Sequence, residues 1–140
     1  MYVERDISKA PLQLSKQYPV LTITGPRQSG KTTLVRHLFP HKNYVNLEHI
    51  ETSEYAAADP VGFLEDLDNN AVLDEVQRVP ELLSYIQVIV DKNQQNNQFT
   101  LTGSQHFSLM EHVSQSLAGR TALLKLLPFS ISETRSVYKN

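Results

Sequence analysis

The chain contains no cysteine, so it has no disulfide framework, thiolate metal site or cysteine nucleophile, and it is compatible with a reducing compartment. It also lacks any run approaching the roughly 18 consecutive apolar residues of a membrane span. Met1, Tyr2, Val3, Glu4, Arg5 and Asp6 put charge where a secretory leader needs an apolar stretch, so the expectation is a cytoplasmic protein with no membrane partner. Nor is there an excess of charge of one sign. A net charge of -2 and an isoelectric point near 6.2 exclude a domain-wide polycationic footprint for nucleic acid, while a local basic patch would not register in that sum. What is present, 140 residues with 40% hydrophobic and 20% charged side chains, is the make-up of one ordinary globular domain.

Periodicity predicts alternating helices and strands. A short helix is expected from Ile7 to Tyr18, with Pro11 as an irregularity, followed by a buried strand over Val20 to Thr24 that ends at Gly25 and Pro26. A helix from Lys31 to Phe39, a strand over Tyr44 to Leu47, and helical pieces over Thr52 to Ala58 and Val61 to Leu67 come next. Ala71 to Leu73 reads as a third strand ending in Asp74 and Glu75. Pro80 then opens a helix whose Leu82, Leu83, Ile86, Ile89 and Val90 share one face. The Asn/Gln-rich run 93–98 reads as a solvated connection. A fourth strand over Phe99 to Thr102, a helix over Phe107 to Leu117 and a fifth strand over Thr121 to Leu127 complete the pattern. Parallel strands require crossover connections, and this alternation supplies them, so the predicted class is α/β with helices on both faces of the sheet. Ser130, Ile131, Ser132 and Glu133 have the spacing of a capping box, with seven residues after it. The expected division is an N-terminal helical segment (1–18), an α/β core (19–129) and the start of a truncated helix (130–140).

Gly25-Pro26-Arg27-Gln28-Ser29-Gly30-Lys31-Thr32 matches G-x-x-x-x-G-K-[ST], between an expected strand and an expected helix. That is the context the chemistry requires: glycines let backbone N–H groups converge on phosphates, and the helix N-terminus adds partial positive charge. Gly25 through Thr33 are therefore the candidate nucleotide-binding residues, with Lys31 reaching the β- and γ-phosphates and Thr32 ligating Mg²⁺. Arg27 and Gln28 could face ligand or solvent. Asp74, at the end of a strand neighbouring the loop, is the candidate carboxylate for the magnesium shell. Glu75 is the candidate to orient or deprotonate an attacking water. The guanine-reading Asn-Lys-x-Asp pattern is missing, since Asp91-Lys92-Asn93-Gln94 matches it only in part, which leaves ATP as the expected nucleotide.

Ser104, just past the fourth strand, could hydrogen-bond the γ-phosphate or the attacking water, or could cap the following helix. Arg120 precedes the fifth strand and so falls at the opposite end of the sheet. It could serve a neighbouring copy's site in trans in a homo-oligomer, or be a surface arginine. His37 and His41 have i, i+4 spacing, but Pro40 between them argues against a helical metal site. His106 reads as a loop histidine near Ser104.

The order of these stretches resembles the AAA+ superfamily ATPases of bacteria and archaea in which an N-terminal ATPase module precedes a C-terminal domain of uncharacterised function. The similar segments are Gly25 to Thr33, Asp59 to Leu64, Leu73 to Leu83 (LDEVQRVPELL), Leu101 to Ser104, Ser116 to Arg120 and Leu127 to Glu133. The resemblance implies a P-loop NTPase with a five-stranded parallel sheet in the order 5-1-4-3-2. It further implies Lys31 and Thr32 as Walker A, Asp74 and Glu75 as Walker B, Ser104 in the sensor region and Arg120 at an arginine-finger position. It also implies that relatives continue into a further domain, often likened to restriction-endonuclease-like folds. The expected function is a Mg²⁺-dependent ATPase core. The alternatives are a truncated nucleotide-binding module with negligible turnover, and a small-molecule kinase, for which no arginine-rich lid is visible. Protein, DNA or signalling partners all stay open.

Overall fold

The computed structural model of the chain describes residues 2–26, 30–104 and 107–126. Helix α1 spans Tyr2–Gln17, followed by strand β1 (Val20–Thr24), helix α2 (Lys31–Leu38), strand β2 (Asn43–Asn46), and helices α3 (Ile50–Ala58) and α4 (Pro60–Asp66). Strand β3 (Ala71–Asp74) leads through a 3-10 turn (Val76–Arg78) into helix α5 (Leu82–Asn93). Strand β4 (Phe99–Gly103), helix α6 (Phe107–Leu117) and strand β5 (Thr121–Lys125) follow. The five strands form one parallel sheet in the order β2-β3-β4-β1-β5, which is the expected 5-1-4-3-2 read from the other edge.

Side-chain alternation divides the interior into two cores. Val20 of β1, Ala71 and Leu73 of β3, and Phe99 and Leu101 of β4 face Ala56, Phe63 and Leu64 of α3 and α4, Leu82, Leu83, Ile86 and Val90 of α5, and Leu109, Val113 and Leu117 of α6. On the other face, Leu21, Ile23 and Val72 pack against Leu34, Val35 and Phe39 of α2, with Leu14 of α1 and Tyr18 beside them. Each buried side chain of this size contributes roughly 1.5–3 kcal/mol. The three central strands are buried at every position, whereas the edge strands β2 and β5 are only partly so.

Local signals explain most of the boundaries. Asp59 caps α4 by accepting the Gly62 N–H at 3.1 Å, and Pro60 occupies the first helical position, where its missing N–H costs nothing. Helix α1 runs through Pro11 rather than breaking there: Pro11 and Ser15 are buried, so packing outweighs the one lost intrahelical bond. Helix α5 opens at Leu82 and not at Pro80, because the 3-10 turn and Pro80 itself carry the chain off β3 first. The capping-box stretch 130–133 lies outside the described residues. Among those described, no helix is long and apolar enough to cross a membrane.

Candidate functional site

The C-terminal ends of β1, β3 and β4 and the start of α2 converge on one place. Beyond β1, Gly25 N–H donates to the Gly103 carbonyl at 3.2 Å, so the first residue of the loop is still tied to β4. Gly30 closes the loop with φ 87° and ψ 16°, a left-handed conformation that glycine adopts without strain, and its carbonyl accepts the Leu34 N–H at 2.9 Å. The first turn of α2 carries no acidic residue, so the positive end of the helix is left uncompensated by its own side chains.

Lys31 is 2% exposed, the least accessible charged position of its helix. Its Nζ donates to the carbonyls of Gly25 and Pro26, both at 2.9 Å, folding the ammonium back over the loop. Two neutral carbonyls satisfy its donors in part but not its charge, which an anion would complete. Arg27, Gln28 and Ser29 lie outside the described residues, while Thr33 is exposed on the first turn of α2.

Asp74 is wholly buried at the end of β3 and collects hydroxyl groups from three elements. Thr32 Oγ1 donates to its Oδ2 at 2.7 Å, Tyr44 Oη of β2 donates to the same oxygen, and Thr102 Oγ1 of β4 donates to Oδ1. Burial, and then the hydrogen bond to Asp74, push the Tyr44 phenol above its ordinary value, and the Arg36 guanidinium lies 4.5 Å from its ring centroid. A threonine hydroxyl in contact with a carboxylate offers the hard oxygen donors that Mg²⁺ accepts beside phosphate and water. Among the described residues there is no cluster of three or more His, Asp or Glu side chains that could hold a metal by themselves.

Glu75 follows in a left-handed conformation (φ 61°, ψ 50°) that costs about 1–2 kcal/mol outside glycine. Two hydrogen bonds hold it: its N–H donates to Thr102 Oγ1 at 3.0 Å, and its Oε1 accepts from Gln77 Nε2 at 2.8 Å. Thr102 thus serves both acidic residues, donating to the Asp74 carboxylate and accepting from the Glu75 backbone N–H. At the end of β4, Ser104 Oγ is buried and has no hydrogen-bond partner among the described residues. Unpaired hydroxyls of this kind cost free energy until a partner arrives. His106 lies outside the described residues.

Lys31, Thr32, Asp74, Glu75 and Ser104 are therefore brought together, and Arg120 is not. Its carbonyl accepts the Val20 N–H at 3.2 Å, at the starting edge of the sheet, about 16 Å of strand away from Gly25. Its guanidinium forms a forked pair with Asp91 of α5, Nε at 2.6 Å and the second nitrogen at 2.9 Å, and also donates to the Ala118 carbonyl. That pair lowers the Asp91 carboxyl and raises Arg120 relative to their ordinary values. Sequence reasoning missed Tyr44, Gln77 and Thr102. Their signal lies in strand register, which sets Tyr44 opposite Val72 and Asn46 opposite Asp74, and aligns β3 with β4.

A family model described as an AAA domain matches residues 17–135. The chain belongs to the AAA domain family. As an AAA domain it is a nucleotide-binding module of the ATPase type, which agrees with the order of its strands and with a strand-loop-helix built around Lys31. Two similar proteins are an uncharacterized protein of Mycobacterium tuberculosis and one of Mycobacterium bovis, each 33% identical over 145 residues covering 97% of this chain. The chain spans 31% of the length of either relative.

Proposed function

We propose that this AAA domain binds ATP together with Mg²⁺ and hydrolyses the γ-phosphate. The observation that carries the reading is the contact between Thr32 Oγ1 and Asp74 Oδ2 at 2.7 Å beside the buried Lys31, which joins a phosphate-binding helix start to a carboxylate. Backbone N–H groups from Arg27 to Thr33 would cradle the phosphates, and the Lys31 ammonium would move from the Gly25 and Pro26 carbonyls to the β- and γ-phosphate oxygens. Thr32 and Asp74 would hold Mg²⁺, which when bound supplies charge neutralisation on the phosphates. Glu75 would orient the attacking water and accept its proton, and Ser104 Oγ would find in the γ-phosphate the partner it lacks. A cytoplasmic setting and assembly into a homo-oligomer complete the proposal, with Arg120 reaching a neighbouring site only after its pair with Asp91 opens.

One observation favours a second reading, nucleotide binding with negligible turnover: the forked pair ties Arg120 to Asp91, so a further positive charge for the γ-phosphate is held away. Calorimetry and turnover on one preparation, with its oligomeric state measured alongside, separate the two. Under the hydrolytic reading, Lys31→Ala abolishes MgATP binding, and Glu75→Gln keeps binding but lowers turnover by about 10²–10⁴-fold. Binding lost on Lys31→Ala with background turnover throughout selects the second reading, and unchanged binding by Lys31→Ala refutes both.

A further inference from the structure

Gln77 sits in the 3-10 turn after β3, and neither of the roles assigned to the site uses it. Its two polar atoms nevertheless connect two of the groups that matter. Nε2 donates to Glu75 Oε1 at 2.8 Å, while Oε1 accepts the backbone N–H of Ser104 at 3.3 Å. The planar amide therefore spans from the carboxylate at the end of β3 to the end of β4. Space for it exists because the intervening position is Gly103: a Cβ there would lie 2.9 Å from Gln77 Oε1 and 2.7 Å from Leu109 Cδ2. The 3-10 turn holds the glutamine close, since Arg78 N–H donates to the Glu75 carbonyl at 3.1 Å and Val79 N–H to that of Val76 at 3.0 Å.

We propose that Gln77 is a positioning residue that sets the orientation of the Glu75 carboxylate according to the state of the β4 terminus at Ser104. The inference rests on the hydrolytic reading of Glu75 and Ser104 and adds the route between them. The amide occupies one oxygen of Glu75 and leaves Oε2 for water. A carboxylate with one oxygen anchored loses rotational freedom about its last torsion, which is what an oriented base needs. Because the same amide is bonded to the Ser104 N–H, a γ-phosphate that engages Ser104 Oγ and draws the end of β4 toward it also shifts the glutamine and with it Glu75. ADP, having no γ-phosphate, leaves the bridge as it is.

Two measurements on the full chain test this. Gln77→Met keeps the length of the side chain and removes both hydrogen bonds. Its kcat is expected to fall by about 10–100-fold, with MgATP affinity within about threefold of wild type, and the same change is expected to cost nothing further in a Glu75→Gln background. Turnover of Gln77→Met equal to wild type, while Glu75→Gln is inactive, overturns the role of Gln77 and leaves the hydrolytic reading intact. Absence of turnover in the wild type instead sinks that reading, and the second measurement then decides on Gln77. In nitrogen-15 spectra the Gln77 side-chain amide should move with a non-hydrolysable ATP analogue and stay in place with ADP; an equal response to both overturns the coupling.

Discussion

Thr100 and Thr102 lie two residues apart on β4, both fully buried and both on the face toward α2, yet isosteric replacement by valine should act on them in opposite directions. Thr102 Oγ1 donates to Asp74 and accepts the Glu75 N–H, so Thr102→Val removes a hydrogen bond to a buried carboxylate and orphans a buried backbone donor. The first loss is worth about 1.5–3 kcal/mol and the second about 1–3 kcal/mol, and since they share one atom a combined cost near ~3 kcal/mol is expected rather than the full sum. Thr100 Oγ1 is buried with no partner, so Thr100→Val exchanges an unpaired hydroxyl for a methyl and should stabilise by about 1 kcal/mol. For a domain of this size, ~3 kcal/mol corresponds to a fall in melting temperature of roughly 10 °C. Urea unfolding followed by circular dichroism, with matched slopes, gives both numbers directly. If Thr102→Val unfolds within about 0.5 kcal/mol of wild type, or if the two variants shift in the same direction, the hydroxyl does not hold Asp74 and Glu75 as described.

Tyr44→Phe removes one of the three hydroxyl donors on Asp74 and should cost about 1.5 kcal/mol, the low end for a bond to a charged group because Tyr44 is half-exposed; the same variant should weaken the Mg²⁺ dependence of nucleotide binding in a metal titration. The Tyr44 phenol is raised above its ordinary value of 10.0, so the folded protein keeps the proton longer than the unfolded chain; its stabilisation is complete below pH 10 and is lost as the pH rises above it, and Tyr44→Phe should flatten that decline in unfolding curves. Gly103→Ala puts a Cβ against Leu109 and Gln77 and should destabilise by about 1–3 kcal/mol, with a loss of turnover exceeding that of a surface control such as Ser84→Ala. Asp91→Ala frees the half-buried Arg120 from an exposed partner and should leave the melting temperature nearly unchanged; if Arg120 acts in trans, turnover should rise with protein concentration more steeply than in the wild type.

The strands were readable because central parallel strands carry apolar or β-branched residues at successive positions, and Val20–Thr24 and Phe99–Gly103 do so almost without interruption. The motif from Gly25 to Thr32 could be picked out because the chemistry it predicts is local: glycines, a lysine and a threonine follow one another where backbone N–H groups and a helix start would meet a phosphate. Asp74 and Glu75 were readable as the polar end of an apolar strand. Ends of elements were less legible, as at the start of α1, which lies at Tyr2 rather than Ile7, and at Pro80, which the 3-10 turn displaces from the start of α5.

The residues that were not legible share one property: each bonds a residue that is distant along the chain. Tyr44 reaches Asp74 from 30 positions earlier, Thr102 from 28 positions later, and Gln77 reaches Ser104 over 27. No spacing rule within one segment encodes such pairs, because strand order and register determine them, and those depend on the whole sheet. The phosphate-binding segment is local, whereas the support of its two carboxylates is distributed over β2, β3 and β4. That division has a mechanical consequence. The Lys31 ammonium can leave the Gly25 and Pro26 carbonyls without breaking a bond of the sheet, whereas the β4 terminus at Ser104 is bonded to the Gln77 amide, and that amide to Glu75. In the proposed mechanism, occupancy of the γ-phosphate position would be linked to the carboxylate that acts on it by hydrogen bonds whose partners the fold, and not the motif, supplies.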